Sequence, residues 1–301
     1  MLRFLAISLR KIKGIIGAIP SIRSAYMVAD RQLHLIREQL WIHALRFDPR
    51  YQDSRAVTRH GFKVYSQNDE DGILEQIFAR IGSGSESFVE IGVGNGLENN
   101  TAYLMQKGWS GVWIDASASN ASYITAEFAQ LIASKRLKFL QSFVTAECVD
   151  ELLVSAGVPN EVDLLSLDID GNEWWVWEAL RRVHPRVVVV EYNAGLGPSL
   201  DWVMPYDAKF CNSGTRAHGA SLKAFERLAR KRGYRLVGCN WTGVNAFFVR
   251  DDLDVNAFPA NDSAEYHYEP ARYYFGPFFG GYPADPREFD AIPVKSEVLG
   301  Q

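Results

Sequence analysis

The chain has 301 residues, 47% of them hydrophobic and 23% charged, with a formal net charge of −4. These proportions suit a folded protein with one large core and appendages, and the small negative charge argues against nucleic acid as the main partner. Its three cysteines, Cys148, Cys211 and Cys239, are odd in number and lack metal-type spacing. Neither a disulfide framework nor a structural zinc site is expected, and a reducing, cytoplasmic setting fits. The Asn-x-Ser/Thr triplets at Asn99, Asn120, Asn240 and Asn261 read as accidental, since two fall in a glycine-rich turn and a buried hairpin.

Residues 1–60 form an N-terminal segment. Its first 29 residues carry Arg3, Arg10, Lys11, Lys13 and Arg23 and no acidic residue, with apolar residues between them. No apolar run reaches the roughly 20 residues needed to span a bilayer, and the charges interrupt any signal-peptide core. Two readings stand: a basic amphipathic segment lying on the inner face of a membrane, or a helix packing on the domain or on a second copy in a homo-oligomer. Residues 25–47 predict a further helix, with Leu33, Ile36, Leu40 and Leu45 along one side.

Residues 61–252 alternate strand and helix signals, the pattern of a mainly parallel, doubly wound α/β sheet covered on both faces. Ser66-Gln-Asn-Asp69 predicts a capping box opening a helix that turns Ile73, Ile77, Phe78 and Ile81 inward. Strands are expected at 88–91, 111–115, 137–144, 162–167 and 186–190, with helices between them, one of them over 123–133. After an irregular insertion over 194–220 comes a helix at 221–232, then strands at 234–238 and 244–249. The last two lie too close for a helical crossover and predict an antiparallel hairpin. A seven-stranded sheet follows. Residues 253–301 form an irregular tail rich in Pro, Gly and aromatics, among them Tyr266, Tyr268, Tyr273, Tyr274, Phe275, Phe278, Phe279 and Tyr282, which wraps the domain or lines an acceptor pocket.

Three motifs at strand ends carry chemistry. The first is Glu90-Ile-Gly92-Val-Gly94-Asn-Gly96, where glycines let the backbone approach a ligand closely. It departs from the dinucleotide pattern because its third Gly comes one residue early. A carboxylate there suits a ligand with sulfonium and ammonium groups better than one with phosphates. The second is Asp115, about 20 residues further on, placed to accept ribose hydroxyls or to cap the next helix. The third is Asp168-Ile-Asp170-Gly-Asn172-Glu173, followed at the next strand end by Glu191-Tyr-Asn193. Carboxylates leaving a buried strand need a partner. Asp168, Asp170, Glu191 and Asn193 are therefore a candidate oxygen-ligand set for Mg²⁺ or Mn²⁺, with helix capping as the alternative.

Tyr65-Ser-Gln-Asn-Asp-Glu-Asp-Gly-Ile-Leu74, Phe88 to Gly96, Gly108-Trp-Ser-Gly-Val-Trp-Ile-Asp115 and Leu165 to Glu173 together resemble the FkbM-type methyltransferase family. The resemblance spans residues 65–252. It implies a class I S-adenosylmethionine-dependent methyltransferase that O-methylates hydroxyls of glycans, glycolipids or related natural products. It further implies that Glu90, Gly92, Gly94, Gly96 and Asp168 belong to the cofactor site, that Asp115 holds the ribose and that Gln67 lies near the methionine end. Asp170 stands where many relatives carry Glu, and the insertion over 194–220 is the chain's own.

Such a reaction needs alignment of the reactants and deprotonation of the acceptor hydroxyl. A metal ion or a base, with Asp170, Glu191 and His218 as candidates, would supply the latter. Two rival readings are a glycosyltransferase using Asp168-Ile-Asp170 as a metal-binding D-x-D and a non-catalytic binding module on a methyltransferase scaffold.

Overall fold

The computed structural model describes residues 20–211 and 217–272. It opens with a long helix, α1 (Pro20–Phe47), and one helical turn, α2 (Pro49–Gln52). Strand–helix alternation then runs as expected: α3 (Glu70–Ile81), β1 (Ser87–Ile91), α4 (Ala102–Gln106), β2 (Ser110–Asp115). It continues through α5 (Ala118–Glu127), α6 (Ala129–Ala133), β3 (Leu137–Gln141), α7 (Val149–Ser155), β4 (Glu161–Leu167), α8 (Glu173–Ala179) and β5 (His184–Glu191). After the insertion come α9 (Leu222–Lys231), β6 (Tyr234–Cys239), β7 (Asn245–Arg250) and α10 (Ala264–His267).

The seven strands form one sheet in the order β3-β2-β1-β4-β5-β7-β6. The first five are parallel, and β7 pairs antiparallel with both β5 and β6. This is the class I methyltransferase-like arrangement expected from the sequence. Strand order reverses between β1 and β4, and ligands of open α/β sheets bind in the crevice above such a reversal.

Alternate residues of each strand feed opposite faces. Ile91, Ile114, Leu165 and Val188 pack with Trp177 and Phe225 on one side. Phe88, Trp113, Leu164 and Val189 pack with Ile73, Ile77 and Phe247 on the other. Burial on both faces explains why β4 and β5 read as nearly unbroken apolar runs. α9 shows the local logic well. Ser221 caps it by accepting from the Ala224 amide at 3.2 Å, while Leu222, Phe225 and Leu228 lie buried on one side.

Local details differ from the sequence reading. The helix expected over 123–133 is split at Phe128 into α5 and α6. The capping box at Ser66 to Asp69 is not what opens α3. Instead the helix starts at Glu70, and Asp71 Oδ2 reaches back to accept the amides of Val64, Tyr65 and Ser66 at 2.6, 2.6 and 2.9 Å. A carboxylate gathers three amides at once, which one serine hydroxyl cannot do. Burial nonetheless pushes Asp71 up to about 6. In the tail, Tyr268 hydrogen-bonds the Ala194 carbonyl at 2.6 Å, so the segment wraps the domain as far as residue 272. The aromatics from Tyr273 onward and the basic residues 1–19 lie outside the described residues.

Candidate functional site

The glycine loop leaves β1 at the carboxyl edge of the sheet. Gly92 continues the ladder, donating to Ile114 at 2.8 Å, and a Cβ there would collide with the carbonyl oxygen of Asp168. Gly94 is different: its φ is +61° and a Cβ would meet nothing within 4 Å, so this part of the loop faces open space. Gly96 lies against the Trp113 ring, 2.6 Å from where its Cβ would be. Two of these glycines thus serve packing, and Gly94 leaves the backbone open to a ligand.

Glu90 lies beneath the loop and is buried. Its carboxylate accepts the Asn100 amide at 2.9 Å and the Thr101 amide and hydroxyl at 3.0 and 2.5 Å. Thr101 in turn accepts from the Trp113 indole at 2.7 Å. Glu90 therefore holds the loop's return into α4 through the loop's own amides. Burial pushes it up to about 7, against the pull of those hydrogen bonds.

Asp115 ends β2 next to the loop. Its Oδ2 accepts the Gly94 amide at 2.8 Å; its Oδ1 accepts the Ser117 amide at 2.8 Å and the Asn120 side chain at 2.9 Å. The carboxylate thus ties the open loop to the start of α5.

The strand ends of β4 and β5 bring three carboxyl groups together. Asp168, Glu173 and Glu191 each place an oxygen within 4.8 Å of the others. The carboxyls of Asp168 and Glu191 face one another across the two strand ends. Glu173, in the first turn of α8, accepts the Ile169 and Gly171 amides at 2.8 and 2.9 Å. Burial, and then the mutual repulsion of the cluster, pushes Asp168 up to about 7 and Glu191 well above the carboxylate range. Burial also raises Glu173. Crowded carboxyls of this kind retain a proton.

Of the ligand set expected from sequence, Asp168 and Glu191 converge. Asp170 is exposed at a φ of +61°, in the turn between them and α8. Asn193 is engaged within the insertion, accepting the Gly195 amide at 3.1 Å and donating to the His218 carbonyl at 2.9 Å. His218 is partly buried there, and the following Gly219 approaches Glu173, with an added Cβ 4.0 Å from its Oε2. Gln67 is exposed, and its carbonyl accepts Lys63 at 3.0 Å.

Sequence reasoning gave Glu173 no role, although an acid in a helix's first turn directly after a strand end was a usable signal. It also missed a buried network beside the cluster. Glu70 accepts Asn240 at 2.8 Å and Asn245 at 3.0 Å, and Asn245 stands opposite Glu191 in the β5–β7 ladder. The Asn245 Oδ1 has no donor among the described residues, an orphaned acceptor at the edge of the site.

The sheet order, with five parallel strands and an antiparallel pair at one edge, defines a class I methyltransferase-like fold. No protein-family model and no curated protein sequence matches the chain. Among solved structures, the methyltransferase domain of bacterial CtHen1-C is similar over 60% of this chain and 97% of its own, at 16% identity and a TM-score of 0.38. The N-terminal domain of EvdMO1, in the presence of SAH and D-fucose, is similar over 71% of this chain and 94% of its own, at 13% identity and a TM-score of 0.39. An S-adenosylmethionine-dependent methyltransferase from Clostridium acetobutylicum is similar over 60% and 90%, at 11% identity and a TM-score of 0.37.

Proposed function

We propose that the chain is an S-adenosylmethionine-dependent O-methyltransferase acting on a hydroxyl of a glycan, glycolipid or related natural product. The observation that carries this reading is the tie between Gly94 and Asp115, which sets an open glycine turn beside an acid on the neighbouring strand end. When bound, S-adenosylmethionine supplies a methyl group made electrophilic by its sulfonium. The chain's part is to hold it. Gly94 leaves room for its body, and Asp115 offers carboxylate lone pairs to the ribose.

The acceptor is then aligned over the β4 and β5 strand ends. The bonding electrons released on transfer stay with the cofactor, and the chain's own residues act on the acceptor hydroxyl. The hydroxyl proton passes to the Asp168–Glu191 pair, whose raised proton affinity suits a base. In place of that proton transfer, a hard divalent cation held by Asp168, Glu173 and Glu191 would supply Lewis-acid polarisation of the hydroxyl.

Calorimetry with S-adenosylhomocysteine, followed by transfer of labelled methyl from S-adenosylmethionine onto a panel of saccharides and glycolipids, tests the reading. Binding and a methylated hydroxyl are expected. Absence of cofactor binding by folded protein overturns it.

A further inference from the structure

Helix α1 is 28 residues, about 42 Å long, and it exposes a series of large apolar side chains. Met27, Val28, Leu33, Leu35, Ile36, Leu40, Ile42 and Phe47 are all large hydrophobics with at least 46% of their surface exposed. Val28, Leu35 and Ile42 repeat every seven residues; Leu33, Ile36, Leu40 and Phe47 follow three-and-four spacing. At 3.6 residues per turn the two rows lie within one half of the helix circumference, with the exposed Gln32, Gln39 and His43 between them. Large apolar side chains exposed in this number mark an interaction site. A seam for one partner helix is a single narrow a/d stripe, whereas two rows spread over half the circumference fit the boundary of a bilayer, where polar side chains between them reach the headgroups.

Charge favours the same occupant. Residues 1–47 carry eight basic side chains and two acidic ones, a net +6, against −4 for the whole chain; the remaining 254 residues therefore carry −10. Two such arms would repel one another, and an anionic bilayer attracts them. No helix among the described residues is long and apolar enough to cross a membrane.

The anchoring end of the helix is set at the ligand edge of the sheet. Trp41 packs edge-on against Trp241, 5.1 Å between centroids, and against Tyr51 at 5.7 Å. Trp241 lies in the β6–β7 turn, whose other end, Asn245, pairs with Glu191.

We propose that α1 docks on an anionic bilayer surface, apolar face inward, and so presents the strand-end site to a lipid-borne hydroxyl acceptor. The acceptor part rests on the methyl-transfer reading; the docking does not. The test is cosedimentation of the full chain with phosphatidylcholine vesicles with and without about one-third phosphatidylglycerol. Wild type should bind the anionic vesicles at least about tenfold better than neutral ones. Leu33→Asp/Ile36→Asp/Leu40→Asp should lose that binding while keeping its melting temperature and its calorimetric affinity for S-adenosylhomocysteine. Failure of the wild type to sediment with anionic vesicles overturns the proposal. So does a concentration-dependent dimer that the triple variant abolishes, which would give the face to a second copy. Vesicle binding without S-adenosylhomocysteine binding would retain the docking and sink the methyl-transfer reading instead.

Discussion

The carboxyl of Glu191 comes within 4.8 Å of that of Asp168, across strand ends that the β4–β5 register makes neighbours through Leu167 and Val190. Both groups hold protons more tightly in the folded chain than in the unfolded one, chiefly because burial penalises their charge. The folded state therefore binds more protons, and stability falls as pH rises. This contribution is fully present below the unfolded carboxylate range near pH 4 and is lost as pH passes the raised values, Asp168 at about 7 and Glu191 beyond it. Melting curves from pH 4 to 9 should show this decline, and Glu191→Gln should flatten it. An unchanged slope in the variant would place the decline elsewhere.

The same pair should set the rate. A base works only when it has lost its own proton, so methyl transfer should climb with pH through about 7, as Asp168 deprotonates. Glu191→Gln should cost about 10²- to 10⁴-fold in rate with cofactor affinity retained. A matching loss in calorimetric affinity would make the residue structural.

Chelation separates the two ways of neutralising this cluster. Among the described residues, Asp168, Glu173 and Glu191 are the group spaced for a metal ion. A rate lowered by excess chelator and restored by Mg²⁺ or Mn²⁺ would assign these carboxylates to a metal and remove the base role from the Asp168–Glu191 pair. Undiminished turnover in chelator, with metal analysis blank, would leave the shared proton alone in the site.

Gly92 and Gly94 should fail differently. Gly92→Ala drives a methyl group into the Asp168 carbonyl and should prevent stable folding. Gly94→Ala meets no atom, so its cost is that of an L-residue at φ +61°, about 1–2 kcal/mol. It should fold and bind S-adenosylhomocysteine more weakly, as thermal melting and calorimetry would show. Equal stability losses would mean that Gly94 is not open.

Glu269 ties helix α2 to the segment that follows α10. It is buried, accepts Tyr51 at 2.6 Å and pairs with Arg50 at 2.9 Å and Arg272 at 2.8 Å. Glu269→Ala should destabilise by roughly 2–4 kcal/mol, somewhat less than loss of a fully buried pair because both guanidiniums retain contact with water. Urea titration measures it. A change under about 0.5 kcal/mol, ordinary for a surface substitution, would deny that tie.

The amino-acid order by itself determined the strand–helix alternation, the antiparallel hairpin and the glycine turn with Asp115 beyond it. Each of these rests on short-range causes: periodicity, chain reach and the freedom of glycine. Tertiary structure alone decided which carboxylates meet. Asp168 and Glu191 are 23 positions apart, and only their parallel register makes them neighbours. Asp170, two residues from Asp168, is carried outward by a left-handed turn, while Glu173 is carried in by the first turn of α8. Glu90 looked ligand-facing in its motif, but its direction depends on the Asn100 and Thr101 amides that fold over it. Spacing along a chain constrains where a backbone goes; the direction of a buried carboxylate follows from which donors the completed fold puts around it.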